Sequence, residues 1–165
     1  MYKIGDYVVY KKDVCRIDEI KENHINEMDY YVLVPIYDES LKTLVPVDNK
    51  NGYIRSLLSR EEVENIIERI PLIPIINCNT KNIESEYKVL LLSNKHEDLI
   101  KIIKTTYLRN KERLDSNRKV GDKDKMYFEK AERYLYTEFA LVLGKSIEEV
   151  KQYLIDKVSI NRKIK

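Results

Sequence analysis

The basic residues of the C-terminal half are the side chains whose type and spacing favour a defined chemistry, which is contact with phosphate groups. The stretch from Lys111 to Lys130 carries a modest excess of positive charge. Lysine and arginine side chains that converge on one surface neutralise phosphates without reading bases. For any single basic residue, the competing interpretation is a solvated charge with a glutamate partner on the same helix. Because the formal net charge is only +2, any contact with nucleic acid is expected to be local or to be helped by a partner.

Residues that could support catalysis are few. The 2 histidines, His24 and His96, lie in polar stretches where a surface position is expected. The 4 glycines are scattered, which excludes a glycine-rich phosphate loop. The acidic residues lie mostly opposite apolar helical stripes and are typical of solvated helix faces. We therefore predict a protein that is not an enzyme and that uses no cofactor, metal or small-molecule substrate.

The 2 cysteines, Cys15 and Cys78, lie far apart and match no metal-ligand spacing. We expect reduced, half-buried thiols, because disulfides are rare in the cytosol. No apolar run reaches the roughly 18 residues that a membrane helix needs. The N-terminus lacks the apolar core of a signal peptide. These features predict a cytoplasmic protein that does not associate with membranes.

The N-terminal third predicts a small antiparallel barrel or half-barrel. Runs of β-branched and aromatic residues and period-two alternation indicate short strands separated by turn signals, without helices between them. The polar segment Lys21–Glu27 is expected to be a hairpin loop. Five strands are predicted, at Tyr7–Tyr10, Val14–Ile20, Met28–Val34, Leu41–Pro46 and Tyr53–Arg55.

From Ser59 onward the apolar period is that of helices. Ser59–Glu62 is a capping box, in which the serine accepts an amide hydrogen bond and the glutamate reaches back. Pro71 and Pro74 end the first helix and begin an apolar linker, which we expect to pack between the two halves. A later helix ends at Gly144. A second capping box, Ser146–Glu149, follows it.

These patterns predict an α+β fold, with an all-helical domain after the barrel. We divide the chain into a barrel at residues 1–56, a helix and linker at 57–82, and a helical domain at 83–165.

The order of these parts resembles that of a known family. The segments that carry the resemblance are Ile4–Tyr10, Leu44–Asn49, Asn82–Lys88, Lys130–Leu135 and Thr137–Ser146. As an ordered set they are similar to the CarD/CdnL transcription factors over nearly the whole chain. The resemblance implies a Tudor-like barrel that binds the lobe of the RNA polymerase β subunit through an exposed sheet edge. It also implies a helical domain that touches promoter DNA at the upstream edge of the transcription bubble and stabilises the open complex. A similar barrel occurs in the transcription-repair coupling factor.

For the polymerase contact, the resemblance implies Lys21, Glu22 and Asn23 in the hairpin and Leu44 on a later strand. The family often has arginine at the first and last of these positions. Lys21 keeps the charge but lacks the bidentate fork of arginine. Leu44 would serve as an apolar contact or, in the other strand register, as a core residue.

For the DNA contact, relatives place a tryptophan wedge after the asparagine that matches Asn82, followed by arginines. This chain has Ile83 at the wedge position and Glu84-Ser85-Glu86 after it. Isoleucine can act as a smaller minor-groove wedge, and it can equally be the first packed residue of a helix. Lys88 and Lys125 align with basic positions of the family, and Lys119 and Lys123 are further candidates for phosphate contact.

Three hypotheses about function remain open. The first is a polymerase-binding regulator that stabilises open promoters. The second is an adaptor that binds RNA polymerase without a direct DNA role, which the replaced wedge favours. The third is a separate RNA-binding barrel, although the strands lack the exposed aromatic pairs and basic strip that single-stranded nucleic acid requires. A monomer is expected, with a dimer left open.

Overall fold

The chain folds into two compact units, Met1–Leu58 and Ser59–Lys165. The structure is a computed structural model that describes residues 1–77 and 81–164. Cys78, expected to be a reduced thiol, lies outside the described residues. The α+β fold class predicted from the sequence is confirmed, because an antiparallel sheet forms the first unit and helices form the second.

The first unit is a five-stranded antiparallel sheet with the strand order β4-β3-β2-β1-β5. Its strands are β1 (Tyr7–Tyr10), β2 (Asp13–Ile25), β3 (Met28–Pro35), β4 (Thr43–Pro46) and β5 (Ile54–Ser56). Strand β2 continues to Ile25, so most of the segment that the sequence predicted as a hairpin loop is strand. The turn is reduced to Asn26 and Glu27, which both adopt left-handed backbone conformations with φ of 52° and 61°.

One hydrophobic core organises the sheet. Its buried members are Val8, Cys15, Ile17, Tyr31, Leu33, Val45 and Ile54. Val45 lies on β4 and Ile54 on β5, the two edge strands, so the sheet curls until both edges contribute to the same core. The pairing of β2 with β3 is irregular between Ile17 and Glu19 and again between Lys21 and Ile25. Such bulges bend a strand and increase its twist, which permits this curvature.

The second unit consists of helices. They are α1 (Arg60–Arg69), a short 3-10 helix (Ile70–Leu72), α2 (Ile83–Leu92), α3 (His96–Asp115), α4 (Asp122–Leu143) and α5 (Ile147–Ile164). The Ser59 hydroxyl caps α1 by accepting a hydrogen bond from the Glu62 amide at 3.1 Å. Gly144 ends α4 in a left-handed conformation with φ of 65°. Among the described residues, no helix combines the length and apolarity that a membrane-spanning segment needs.

The apolar segment after α1 is bound to α3. The Lys104 ammonium donates hydrogen bonds to the carbonyl oxygens of Ile70 and Ile73, at 2.8 and 2.5 Å. The Ile76 amide donates to the Thr105 hydroxyl at 2.9 Å. These contacts lie within the second unit, so the segment is anchored there.

The two histidines differ in environment. His24 is exposed, as expected from its polar surroundings. The expectation of a surface position was wrong for His96, whose side chain is only 15% exposed. Its Nε2 lies 2.9 Å from the carboxylate of Glu138, which is 1% exposed, and its ring stacks on Phe139. His96 therefore connects the start of α3 to the C-terminal part of α4.

Candidate functional site

The face of the sheet opposite the core gathers two of the residues predicted to contact a protein partner. Residues paired directly across antiparallel strands lie on the same face, and residues two apart along a strand share that face. Tyr31 and Val45, which pair with each other, belong to the core. The opposite face therefore contains two cross-strand rows, Glu19–Val32–Leu44 and Lys21–Tyr30–Pro46. Glu19, Lys21, Tyr30 and Leu44 are at least partly exposed, and we call these four residues the outer-face patch.

Leu44 lies on edge strand β4 and is 41% exposed. The alternative of a core position is therefore excluded, and Val45 takes that place. The Val47 amide donates to the carbonyl oxygen of Asp29 at 3.0 Å, and hydrogen bonding to a neighbouring strand alternates along an antiparallel strand. By this alternation, the main-chain N–H and C=O of Leu44 point away from β3. Leu44 thus presents its side chain to the outer face and its peptide groups to the sheet edge.

The other residues predicted to contact the partner, Glu22 and Asn23, lie in an irregular part of β2. Lys21 pairs with Tyr30 and Ile25 with Met28, so the residues between them on β2 bulge opposite the single residue Asp29. Glu22 and Asn23 are exposed there. Asn23 has a left-handed φ of 47°, and its amide donates to the Asp29 carboxylate at 3.0 Å. Asp29 therefore holds the bulge in shape.

Ile83, the predicted wedge, is the first residue of α2 and is only 6% exposed. This position agrees with the alternative stated from the sequence, the first packed residue of a helix. A side chain that enters a DNA groove must be accessible, and here Ile83 would first have to leave its packing.

Lys88 and Lys123 come together on a glutamate. Lys123 Nζ lies 2.6 Å from Glu84 Oε2, and Lys88 Nζ lies 3.8 Å from Glu84 Oε1. Hydrogen bonding by Lys123 lowers the pKa of the Glu84 carboxyl, and the same hydrogen bond raises the pKa of the Lys123 ammonium. We call these three residues the Glu84 cluster. It joins α2, which carries Glu84 and Lys88, to the first turn of α4, which carries Lys123.

The other two candidate lysines are exposed. Lys125 lies near the start of α4, and Lys119 lies in the connection between α3 and α4. Both are therefore accessible to phosphate. Among the residues that the structure describes, no group of three or more histidine, cysteine or acidic side chains is arranged to hold a metal ion.

A buried polar node that sequence reasoning missed lies close to the Glu84 cluster. Asp124 is 3% exposed, accepts a hydrogen bond from the Tyr87 hydroxyl at 2.8 Å, and accepts another from Arg109 Nε at 3.1 Å. The Tyr127 ring packs against Tyr87 with centroids 5.1 Å apart. The node connects α2, α3 and α4. The helical spacing of apolar residues and the capping signals both predict that an aspartate in the first turn of a helix is exposed to solvent. The burial of Asp124 becomes evident only from its tyrosine and arginine partners in the structure.

Comparison with known families gives a match to the sheet unit. The sequence model described as CarD-like/TRCF RID domain matches residues 2–58. The match spans all five strands and coincides with the first compact unit, whereas the helical unit lies outside it. No curated protein matches the chain.

Proposed function

Because residues 2–58 belong to the CarD-like/TRCF RID domain family, which interacts with RNA polymerase, we propose that this protein is a transcription regulator acting on the polymerase at promoters. In this proposal the sheet unit binds the lobe of the polymerase β subunit. The helical unit contacts DNA at the upstream edge of the transcription bubble and so stabilises the open complex.

The outer-face patch is the observation that carries the polymerase contact. Lys21 offers an ammonium group to an acidic partner group, and Leu44 offers a partly exposed apolar side chain on the same face. The edge position of β4 also suits a partner strand, because a strand added to an edge gains main-chain hydrogen bonds. Glu22 and Asn23 extend the contact beyond Lys21 along the bulge.

The proposed mechanism is thermodynamic linkage. A protein that binds the open complex more tightly than the closed complex shifts the equilibrium by the difference between the two affinities. A difference of about 1.4 kcal/mol changes the open-to-closed ratio roughly tenfold. Binding to the polymerase raises the local concentration of the helical unit near DNA, so weak phosphate contacts suffice. This explains how a chain of net charge +2 can act on DNA.

We assign the DNA contacts to Lys88, Lys119, Lys123 and Lys125. All four are exposed and belong to α2, α4 or the connection before α4. Ile83 has a different role in this proposal, since its packed side chain fixes the start of the helix that carries Lys88.

The polymerase contact is tested with purified core polymerase and the full-length chain. We expect Lys21→Glu to weaken binding about tenfold, because a charge reversal turns attraction into repulsion at the interface. Lys50→Glu is the matched control, since Lys50 is 83% exposed in the turn between β4 and β5. We also expect Leu44→Glu to weaken binding and Leu44→Arg to retain it. Equal binding by wild type, Lys21→Glu and Leu44→Glu would refute the assignment of this face.

A second candidate function, the adaptor without a DNA role, is favoured by two observations. Ile83 is buried, and two of the four lysines share an acidic partner in Glu84. The two functions are distinguished by the lifetime of open complexes formed with Lys119→Glu and Lys125→Glu variants. If these variants bind polymerase normally and shorten the lifetime, the regulator is supported. An unchanged lifetime supports the adaptor.

A further inference from the structure

The Glu84 cluster has the form of an anion-binding site that already contains an anion. Two ammonium groups, from α2 and from α4, approach opposite oxygens of one carboxylate. Carboxylate and phosphate oxygens accept the same charge-assisted hydrogen bonds from lysine. An external phosphate group and Glu84 would therefore compete for the same two lysines.

Each lysine follows or precedes a buried residue in sequence, so the main chain that carries the two ammonium groups is held by the core of the helical unit. Tyr87, next to Lys88, is fully buried, and its ring packs against that of Tyr127 with centroids 5.1 Å apart. Asp124, next to Lys123, is 3% exposed and accepts hydrogen bonds from Tyr87 and Arg109. The lysine side chains themselves are 64% and 68% exposed, which leaves them open to an incoming ligand.

We propose that Lys88 and Lys123 form an oxyanion-binding site for a phosphate group, and that Glu84 is its exchangeable internal counter-ion. In the free protein the Glu84 carboxylate occupies the site. A phosphate group that binds there displaces the carboxylate from both lysines. The proposal rests on the proposed function only in identifying the natural ligand as a DNA phosphodiester.

This arrangement lowers the affinity for phosphate in two ways. Lys123 must give up its hydrogen bond to Glu84, and the displaced carboxylate remains nearby as a like charge. A unit like charge about 4 Å away in water changes an affinity by about fivefold. Glu84 therefore keeps binding by the free protein weak, while a phosphate presented at high local concentration can still displace it.

The direct test is a titration of the full-length chain with inorganic phosphate, followed by the Cε–Hε NMR signals of Lys88 and Lys123. Substitution of each lysine by arginine assigns the signals. We expect Glu84→Gln to bind phosphate about fivefold more tightly than wild type, with both signals shifting together. Glu86→Gln is the matched control, because Glu86 is an exposed glutamate on the same helix and its replacement changes the net charge equally.

The outcomes are distinct. Tighter phosphate binding by Glu84→Gln alone supports the proposal. Equal gains in Glu84→Gln and Glu86→Gln overturn it, because the effect would then be one of general charge, and no gain in either variant overturns it as well. The same variants are then measured for open-complex lifetime with polymerase. If Glu84→Gln gains phosphate affinity and leaves the open-complex lifetime unchanged, Glu84 is supported as the counter-ion of the site. The DNA role in the proposed function is then refuted.

Discussion

The buried carboxylate of Asp124 should dominate the stability of the helical unit, and Asp124→Asn tests this with little change of shape. In the folded protein Asp124 receives one hydrogen bond from Tyr87 and one from Arg109. Hydrogen bonds to a charged group contribute about 1.5–3 kcal/mol each, and neutral ones are roughly half as strong. In Asp124→Asn both hydrogen bonds are made to a neutral group, and the largely buried Arg109 loses its counter-ion. The free energy of unfolding is therefore expected to fall by about 2–3 kcal/mol.

The assay is thermal and urea unfolding followed by far-UV circular dichroism at the helical wavelength. The α-helices belong to the second unit, so this signal reports its unfolding. For a domain of this size the predicted loss corresponds to a fall in Tm of roughly 10 °C. Tyr87→Phe removes only one of the two bonds and should cost about half as much.

Asp122→Asn is the control for this prediction. Asp122 is exposed in the same first turn of α4, and the substitution changes the net charge by the same amount. Surface substitutions of this kind usually change stability by at most about 0.5 kcal/mol. Destabilisation by Asp124→Asn no greater than that by Asp122→Asn would refute the view that a buried ionic node holds α2, α3 and α4 together.

Two further predictions concern groups whose pKa is raised by burial. Burial, the largest cause, raises the pKa of the Glu132 carboxyl above its ordinary value of 4.5, so ionisation disfavours the folded state at neutral pH. Glu132→Gln should therefore raise the free energy of unfolding of the helical unit in urea at pH 7, and this gain in stability should disappear below about pH 4.5. A gain in stability that persists at pH 3.5 would contradict burial of the charge as its cause. Burial also raises the pKa of the Cys15 thiol to about 11, so only about one thiol in a thousand is ionised at pH 8. Peptide mass spectrometry should find Cys15 unmodified by iodoacetamide in the native protein and alkylated in urea, whereas equal alkylation in both would be inconsistent with the core position.

Much of the fold follows from local patterns. Both hydrogen bonds of the capping box at Ser146 are present. The Glu149 amide donates to the Ser146 hydroxyl at 3.1 Å, and the Ser146 amide donates to the Glu149 carboxylate at 3.3 Å. The left-handed end of α4 is at Gly144, as its position in the sequence predicts. Such signals act over one turn of helix, so a single chain segment contains all the information needed to recognise them.

The presence of the five strands could also be predicted from the sequence, whereas the end of β2 could not. The polar residues from Lys21 onward lack the alternation of a half-buried strand, because that part of β2 bulges opposite Asp29 and both of its faces are exposed. The sequence therefore predicted a loop where the main chain continues to pair. The bulge depends on how β2 and β3 align, which is a property of the pair of strands.

The sequence by itself determined most of the element types, the helix ends that carry capping signals, the α+β class and which residue types are available for phosphate and protein contacts. Only the tertiary structure decided how these residues are combined. Strand register placed Leu44 outward and on the same face as Lys21. Helix packing buried Ile83, closed Glu84 onto Lys123, and joined Tyr87 to Asp124 across 37 residues of chain. The physical reason is range: propensities and caps are set by neighbours along the chain, whereas burial and charge pairing depend on segments that meet only when the core forms.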